Sequence, residues 1–177
     1  GGHPWTAISK LTDTSAKTGY KGTFDGNGHT VTLDITSGSA NTGLFKKLVG
    51  GATVKNVTTA GAVSGGASTG AIAGNADGKV SIFNCKNTAT VTGTGKGVGG
   101  ILGYATIESC ANTGAIVAEG KQQTGGIAGN LEGAHVIRNC YNTGSVTATS
   151  GFAGIVGRGT KGVTVENCYS TGAIATG

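Results

Sequence analysis

Residues 137–146 read Ile-Arg-Asn-Cys-Tyr-Asn-Thr-Gly-Ser-Val, and close variants recur as IFNCKNTATV (82–91), IESCANTGAI (107–116) and VENCYSTGAI (165–174). A fifth copy, VKNVTTAGAV (54–63), carries Val57 where the others carry cysteine. The anchors 57, 85, 110, 140 and 168 are separated by 28, 25, 30 and 28 residues. A second motif follows each of the first four copies in chain order, those at 54–63, 82–91, 107–116 and 137–146: GAIAG (70–74), GGILG (99–103), GGIAG (125–129) and AGIVG (153–157), with an earlier TGLFK at 42–46. Self-similarity at such a period is the signature of a stacked repeat.

The apolar positions of these copies form columns. One holds Val54, Ile82, Ile107, Ile137 and Val165, and a second holds Val57, Cys85, Cys110, Cys140 and Cys168. A third holds Val63, Val91, Ile116, Val146 and Ile174, and a fourth Leu44, Ile72, Ile101, Ile127 and Ile155. Short β-branched runs punctuated by Gly and Asn are strand signals. Each repeat reads as about three short strands joined by bends, too small to bury a face alone, so successive copies must stack with their columns inward. The expected fold is all-β: a right-handed parallel β-helix, or solenoid, of about five or six coils of roughly 25–30 residues. Length differences fall at the expected bends 75–79, 104–106, 130–134 and 158–162.

Ile137 and Cys140 are three apart and both point inward in this reading, so the strand alternation must break between them. The residue before each anchor is Asn56, Asn84, Ser109, Asn139 or Asn167. Asparagine tolerates the left-handed conformation that a sharp corner requires, and stacked amides can bond from coil to coil. Glycine at anchor plus four (Gly61, Gly114, Gly144, Gly172, with Ala89 as the exception) is expected to serve the next bend.

These motifs resemble the GLUG motif family, whose Gly-Leu-aromatic-Gly-like signature stands here as GILG (100–103), GIAG (126–129), GIVG (154–157) and a degenerate GLFK (43–46). GTFDGNGHTVTLDI (22–35) looks like the segment that opens such arrays, and WTAI (5–8) like the strand before it. The resemblance implies one solenoid domain over 1–177, with opening strands in 1–35 and repeats in 36–177, as a fragment of a longer chain. It further implies a secreted or surface-attached bacterial protein, adhesin-like or a non-catalytic region of a surface peptidase, with no common catalytic residues.

Composition narrows the functional classes. The chain has 36 Gly, one Pro and no Met, without a strict Gly-X-Y period, and no run of apolar residues approaches a membrane span. Thirteen Lys and Arg against eight Asp and Glu give +5, but the basic residues are scattered and aromatics sparse, so neither nucleic-acid binding nor membrane insertion is expected.

No catalytic, cofactor-binding or metal site is expected, and no cofactor. Glycan-cleaving β-helices need clustered carboxylates. Of the acids, only Glu108 and Glu166 share a column, with Arg138 between them, in the outward series Lys55, Phe83, Glu108, Arg138, Glu166. Asp25–Gly28 (DGNG) reads as a tight turn, and His3, His29 and His135 have no partner at zinc-ligand spacing. A cysteine repeated four times in a core column does not describe a nucleophile, which needs a base and an orienting group. In-register thiols point the same way, which suits reduced, stacked cysteines better than disulfides.

The functional expectation is a stalk or adhesion module meeting a host protein, a glycan or an anionic cell-wall polymer. Self-association through uncapped coil ends, as a fibre subunit, is a further possibility, as is an accessory part of an enzyme. Ice binding is disfavoured, because the outward pairs beside the third column, such as Ala62/Ser64 and Thr90/Thr92, contain only one Thr pair.

Overall fold

The computed structural model describes residues 18–101, 105–119 and 123–177; the strand expected at 5–8, together with His3, Gly103 and Tyr104, lies outside the described residues. Every element is a strand, and every pairing is parallel with the equivalent strand of the next coil. The result is a β-solenoid of about five turns.

Among the described residues the coils present four faces where the repeat pattern suggested about three strands. The first face is a six-stranded sheet of Thr23–Asp25, Thr53–Lys55, Ser81–Phe83, Thr106–Glu108, Val136–Arg138 and Thr164–Glu166. The second begins as the long pair Thr30–Thr36 and Thr58–Gly65. In later coils it is split in two, as in Lys86–Asn87 and Thr90–Gly93 or Tyr141–Asn142 and Val146–Ala148. The third consists of two-residue strands, Thr69–Gly70, Val98–Gly99, Thr124–Gly125 and Phe152–Ala153. The fourth is Phe45–Val49 on Ala73–Asp77, and Ala128–Leu131 on Val156–Gly159. The extra face arises because Ile72, Ile101, Ile127 and Ile155 sit in a bend between the third and fourth faces.

The inward columns make the core. Val54, Ile82, Ile107 and Ile137 are wholly buried, as are Leu44, Ile72, Ile101 and Ile127, and Val91, Ile116 and Val146. Each such side chain contributes about 1.5–3 kcal/mol by leaving water. In the last coil the same columns emerge: Val165 is 47% and Ile174 48% exposed. Around Phe45, Tyr20 and Phe24 pack at ring distances of 5.0 and 5.3 Å.

Three of the four predicted bends start later than expected. Asn75–Asp77, Asn130–Leu131 and Arg158–Gly159 belong to fourth-face strands, so the turns fall after them. Leu131, wholly buried, and Ala76, nearly so, hold those segments against the core.

The glycines at anchor plus four act differently from a common bend. Gly61 has φ +89° but lies inside the continuous strand Thr58–Gly65. Gly114, Gly144 and Gly172 bend without left-handed backbone; a Cβ there would overlap the carbonyl oxygen of Ala89, Gly114 or Gly144 in the coil before. Close approach of stacked backbones, rather than φ, requires glycine at these three.

Candidate functional site

The corner between the first and second faces carries a column of polar side chains. Asn56, Asn84, Ser109, Asn139 and Asn167 turn it with φ of 54, 51, 52, 55 and 51°. Their side chains stay at the surface and bond along the stack: Asn56 Nδ2 donates to Asp25 Oδ1 (2.9 Å), Asn84 Nδ2 to Asn56 Oδ1 (2.7 Å) and Asn167 Nδ2 to Asn139 Oδ1 (3.3 Å). Ser109 has no amide to offer, and the ladder is interrupted in that coil.

Behind the corner, Val57, Cys85, Cys110 and Cys140 are at most 2% exposed, and Cys168 is partly exposed. All four cysteines are free. Each sulfur lies 3.1–3.3 Å from the carbonyl oxygen two residues earlier, of Phe83, Glu108, Arg138 or Glu166. The Cys85 and Cys110 amides donate to the next cysteine's Sγ at 3.4 Å. Neutral thiols are thus satisfied as donors, and those of Cys85, Cys110 and Cys140 are sealed from water. Burial pushes the Cys110 thiol well up and raises Cys168 as well. This is core filling, with no base or orienting group beside any sulfur.

The charged column runs Asp25, Lys55, Phe83, Glu108, Arg138, Glu166, one rung longer than the sequence suggested, because Thr23–Asp25 pairs with Thr53–Lys55 in register. Arg138 holds Glu108 at 2.8 Å, Lys55 holds Asp25 at 3.2 Å, and Lys55 Nζ stands 5.9 Å from the centre of the Phe83 ring. Hydrogen bonds from the Asn56 amide and the Asn27 backbone, with Lys55, keep the Asp25 carboxyl below its ordinary range. Asn27 and Gly28 form the turn expected there, and His29 and His135 lie apart from each other on its far side and before Val136–Arg138. Among the described residues, no three His, Cys, Asp or Glu side chains gather as a metal site.

A second polar ladder escaped the sequence reading. Asn87, Asn112 and Asn142, two residues after the anchor, are wholly buried. Thr59 Oγ1 donates to Asn87 Oδ1 (2.9 Å), Asn87 Nδ2 to Asn112 Oδ1 (2.7 Å), Asn112 Nδ2 to Asn142 Oδ1 (2.7 Å), and Asn142 Nδ2 to Ser170 Oγ (3.2 Å). Each amide also donates at 2.9 Å to the carbonyl two residues on. The signal was present: the column Thr59, Asn87, Asn112, Asn142, Ser170 is polar throughout yet never charged. The Gly-rich motif makes room for it, since a Cβ on Gly100, Gly126 or Gly154 would overlap the side chain of Asn112, Asn142 or Ser170.

Outside the corner lies a groove of about 510 Å³ along Asn27, Asn56, Asn84, Ser109, Thr58, Lys86, Ala111 and Tyr141. Its second-face wall is the outward column Thr58, Lys86, Ala111, Tyr141, Tyr169, in which Tyr141 and Tyr169 stack at 5.4 Å with ring planes 9° apart. What such a surface can do is hold a ligand by hydrogen bonds, one charge and one ring face. No paired carboxylates line it.

Residues 120–147 match the family described as the GLUG motif. Over 87 residues the chain is 40% identical to Halomucin of Haloquadratum walsbyi (strain DSM 16790 / HBSQ001), a match covering 48% of this chain. It spans about 1% of Halomucin's own length. No solved structure matches the chain. The chain thus carries a GLUG motif at 120–147, set in a parallel β-solenoid whose other coils repeat the same pattern.

Proposed function

We propose that this chain is a non-catalytic structural and adhesion module of a cell-surface or secreted protein, a stiff rod whose outward columns meet a glycan, host protein or anionic cell-wall polymer. One observation carries this reading: the four apolar core columns repeat from coil to coil while the outward column of the second face does not. The four apolar columns hold only Val, Ile, Leu or Cys, whereas the neighbouring outward column of the second face changes from Thr58 to Lys86, Ala111, Tyr141 and Tyr169. Repetition inside builds the rod, and variation outside is where recognition resides. The match to a short part of the far longer Halomucin supports a modular role within a larger protein. Among the described residues, no helix is long and apolar enough to cross a membrane. Antibody raised against the purified chain should label intact source cells or appear in the culture medium. Antigen confined to the cytosolic fraction would overturn the assignment.

A further inference from the structure

Asn56-Val57-Thr58 reads N-x-T, the tripeptide that accepts N-linked glycans, and of the eleven asparagines in the chain only Asn56 has Ser or Thr two residues on. The other corner asparagines, Asn84, Asn139 and Asn167, have Lys86, Tyr141 and Tyr169 at that position. The wholly buried Asn87, Asn112 and Asn142 have Ala89, Gly114 and Gly144 there. The one acceptor tripeptide therefore falls on an asparagine whose amide lies at the surface, with Thr58 in the outward column of the second face.

The Asn56 amide can take a substituent without losing a bond. Its Oδ1 accepts from Asn84 in the coil after, and its Nδ2 donates to Asp25 in the coil before, so the two contacts run in opposite directions along the stack. In a planar amide the N–H that points away from the carbonyl oxygen is the one that serves Asp25. The nitrogen has a second hydrogen, which continues the line from Cβ to Cγ and is directed outward. A glycan on a trans amide replaces that second hydrogen, so both contacts of the rung survive. The groove of about 510 Å³ opens beside it along Asn27, Gly28, Thr58 and Lys86, and a Cβ added to Gly28 would meet nothing within 4 Å.

We infer that Asn56 is the attachment site of an N-linked oligosaccharide, transferred from a lipid-phosphate carrier during export. Asn56 Nδ2 forms a bond to C1 of the first sugar. The bond from C1 to the carrier's phosphate oxygen breaks, its electron pair leaves on the phosphate, and the amide gives up one proton. Transfer precedes the folding of this coil, because in the rod Val57 is only 2% exposed and the tripeptide backbone is held on both sides. The Asn56 N–H donates to the Phe83 carbonyl and the Thr58 N–H to the His29 carbonyl, while the Val57 carbonyl accepts from the Lys86 N–H. The folded rod then carries the sugar at its corner, over the part of the groove between Asn27 and Lys86. This inference rests on the surface-module reading, since the carrier lipid and the transfer both belong to export.

The experiment is tandem mass spectrometry of the chain recovered from its source cells and their medium, cleaved before aspartate to release residues 34–76 as one peptide. An added oligosaccharide mass is expected on that peptide, with fragment ions placing it on Asn56. Thr58→Ala leaves Asn56 and both of its side-chain bonds in place and should lose the added mass completely, whereas Thr58→Ser should keep it. Circular dichroism and thermal melting verify that both variants fold. A bare Asn56 in chain recovered from the cell surface or medium overturns the inference and leaves the surface module standing. A sugar that survives Thr58→Ala, or one that the fragments place on a hydroxyl, overturns it as well. Antigen confined to the cytosol removes this inference and the reading beneath it together.

Discussion

Replacing Asn112 by alanine tests the buried amide ladder at its centre. Asn112 Nδ2 donates to the Gly114 carbonyl and to Asn142 Oδ1, and its own Oδ1 accepts from Asn87 Nδ2. In Asn112→Ala, Asn87 keeps its 2.9 Å bond to the Ala89 carbonyl, but Asn142 Oδ1 and the Gly114 carbonyl each lose a donor where water does not reach. An orphaned buried polar group costs about 1–3 kcal/mol, so two of them with the half-lost Asn87 pairing total about 3–6 kcal/mol. Asn84→Ala is the control. It removes one solvent-exposed bond to Asn56 and places alanine at a positive φ, which costs about 1–2 kcal/mol. Urea denaturation followed by circular dichroism and tyrosine fluorescence measures both, and unchanged m-values would show that the whole rod still unfolds together. If Asn112→Ala is no more destabilising than Asn84→Ala, the inner ladder is not a principal support of the stack.

Gly126→Ala should destabilise by about 3 kcal/mol, because its methyl overlaps the Gly154 carbonyl and the Asn142 amide, whereas Gly38→Ala, in open space, should be neutral or slightly stabilising in the same urea assay. A thiol-reactive chromophore should count four free cysteines in the unreduced, unfolded protein. In the folded rod Cys168 should react first and the three buried cysteines only as fast as the coils open; four slow thiols or any disulfide contradicts the described packing. Asp25 titrates lower in the folded state than in the unfolded one, so its stabilisation is complete above the unfolded pKa of about 3.9 and is lost as pH falls through the folded value. Asp25→Asn should flatten the stability profile below about pH 4, and an unchanged acid slope would show that the Asn56 and Lys55 contacts do not hold it.

The core was open to reading because stacking repeats its demands. Ile82, Ile107 and Ile137 recur at one register with no polar substitute, and the corner was legible because asparagine, which stands there in four of the five coils, tolerates a left-handed bend. Asn87, Asn112 and Asn142 were not read as interior because polarity inside a Gly- and Thr-rich stretch looks like a turn, and only the absence of any charged residue in the column distinguishes an interior amide. The number of faces was hidden because Ile72 and its equivalents are apolar in either a strand or a bend.

Every bond in the inner ladder runs in the same sense, from Thr59 through three amides to the Ser170 hydroxyl. An asparagine rung gives to one neighbour and takes from the other, so it is complementary to itself and adds no charge. A rod built on it can gain or lose a coil by duplication or deletion without stranding a donor, reversing a dipole or accumulating repulsion. Length is thereby free to drift while the cross-section stays fixed, and a hydroxyl at either limit is enough to begin or receive the chain of amides.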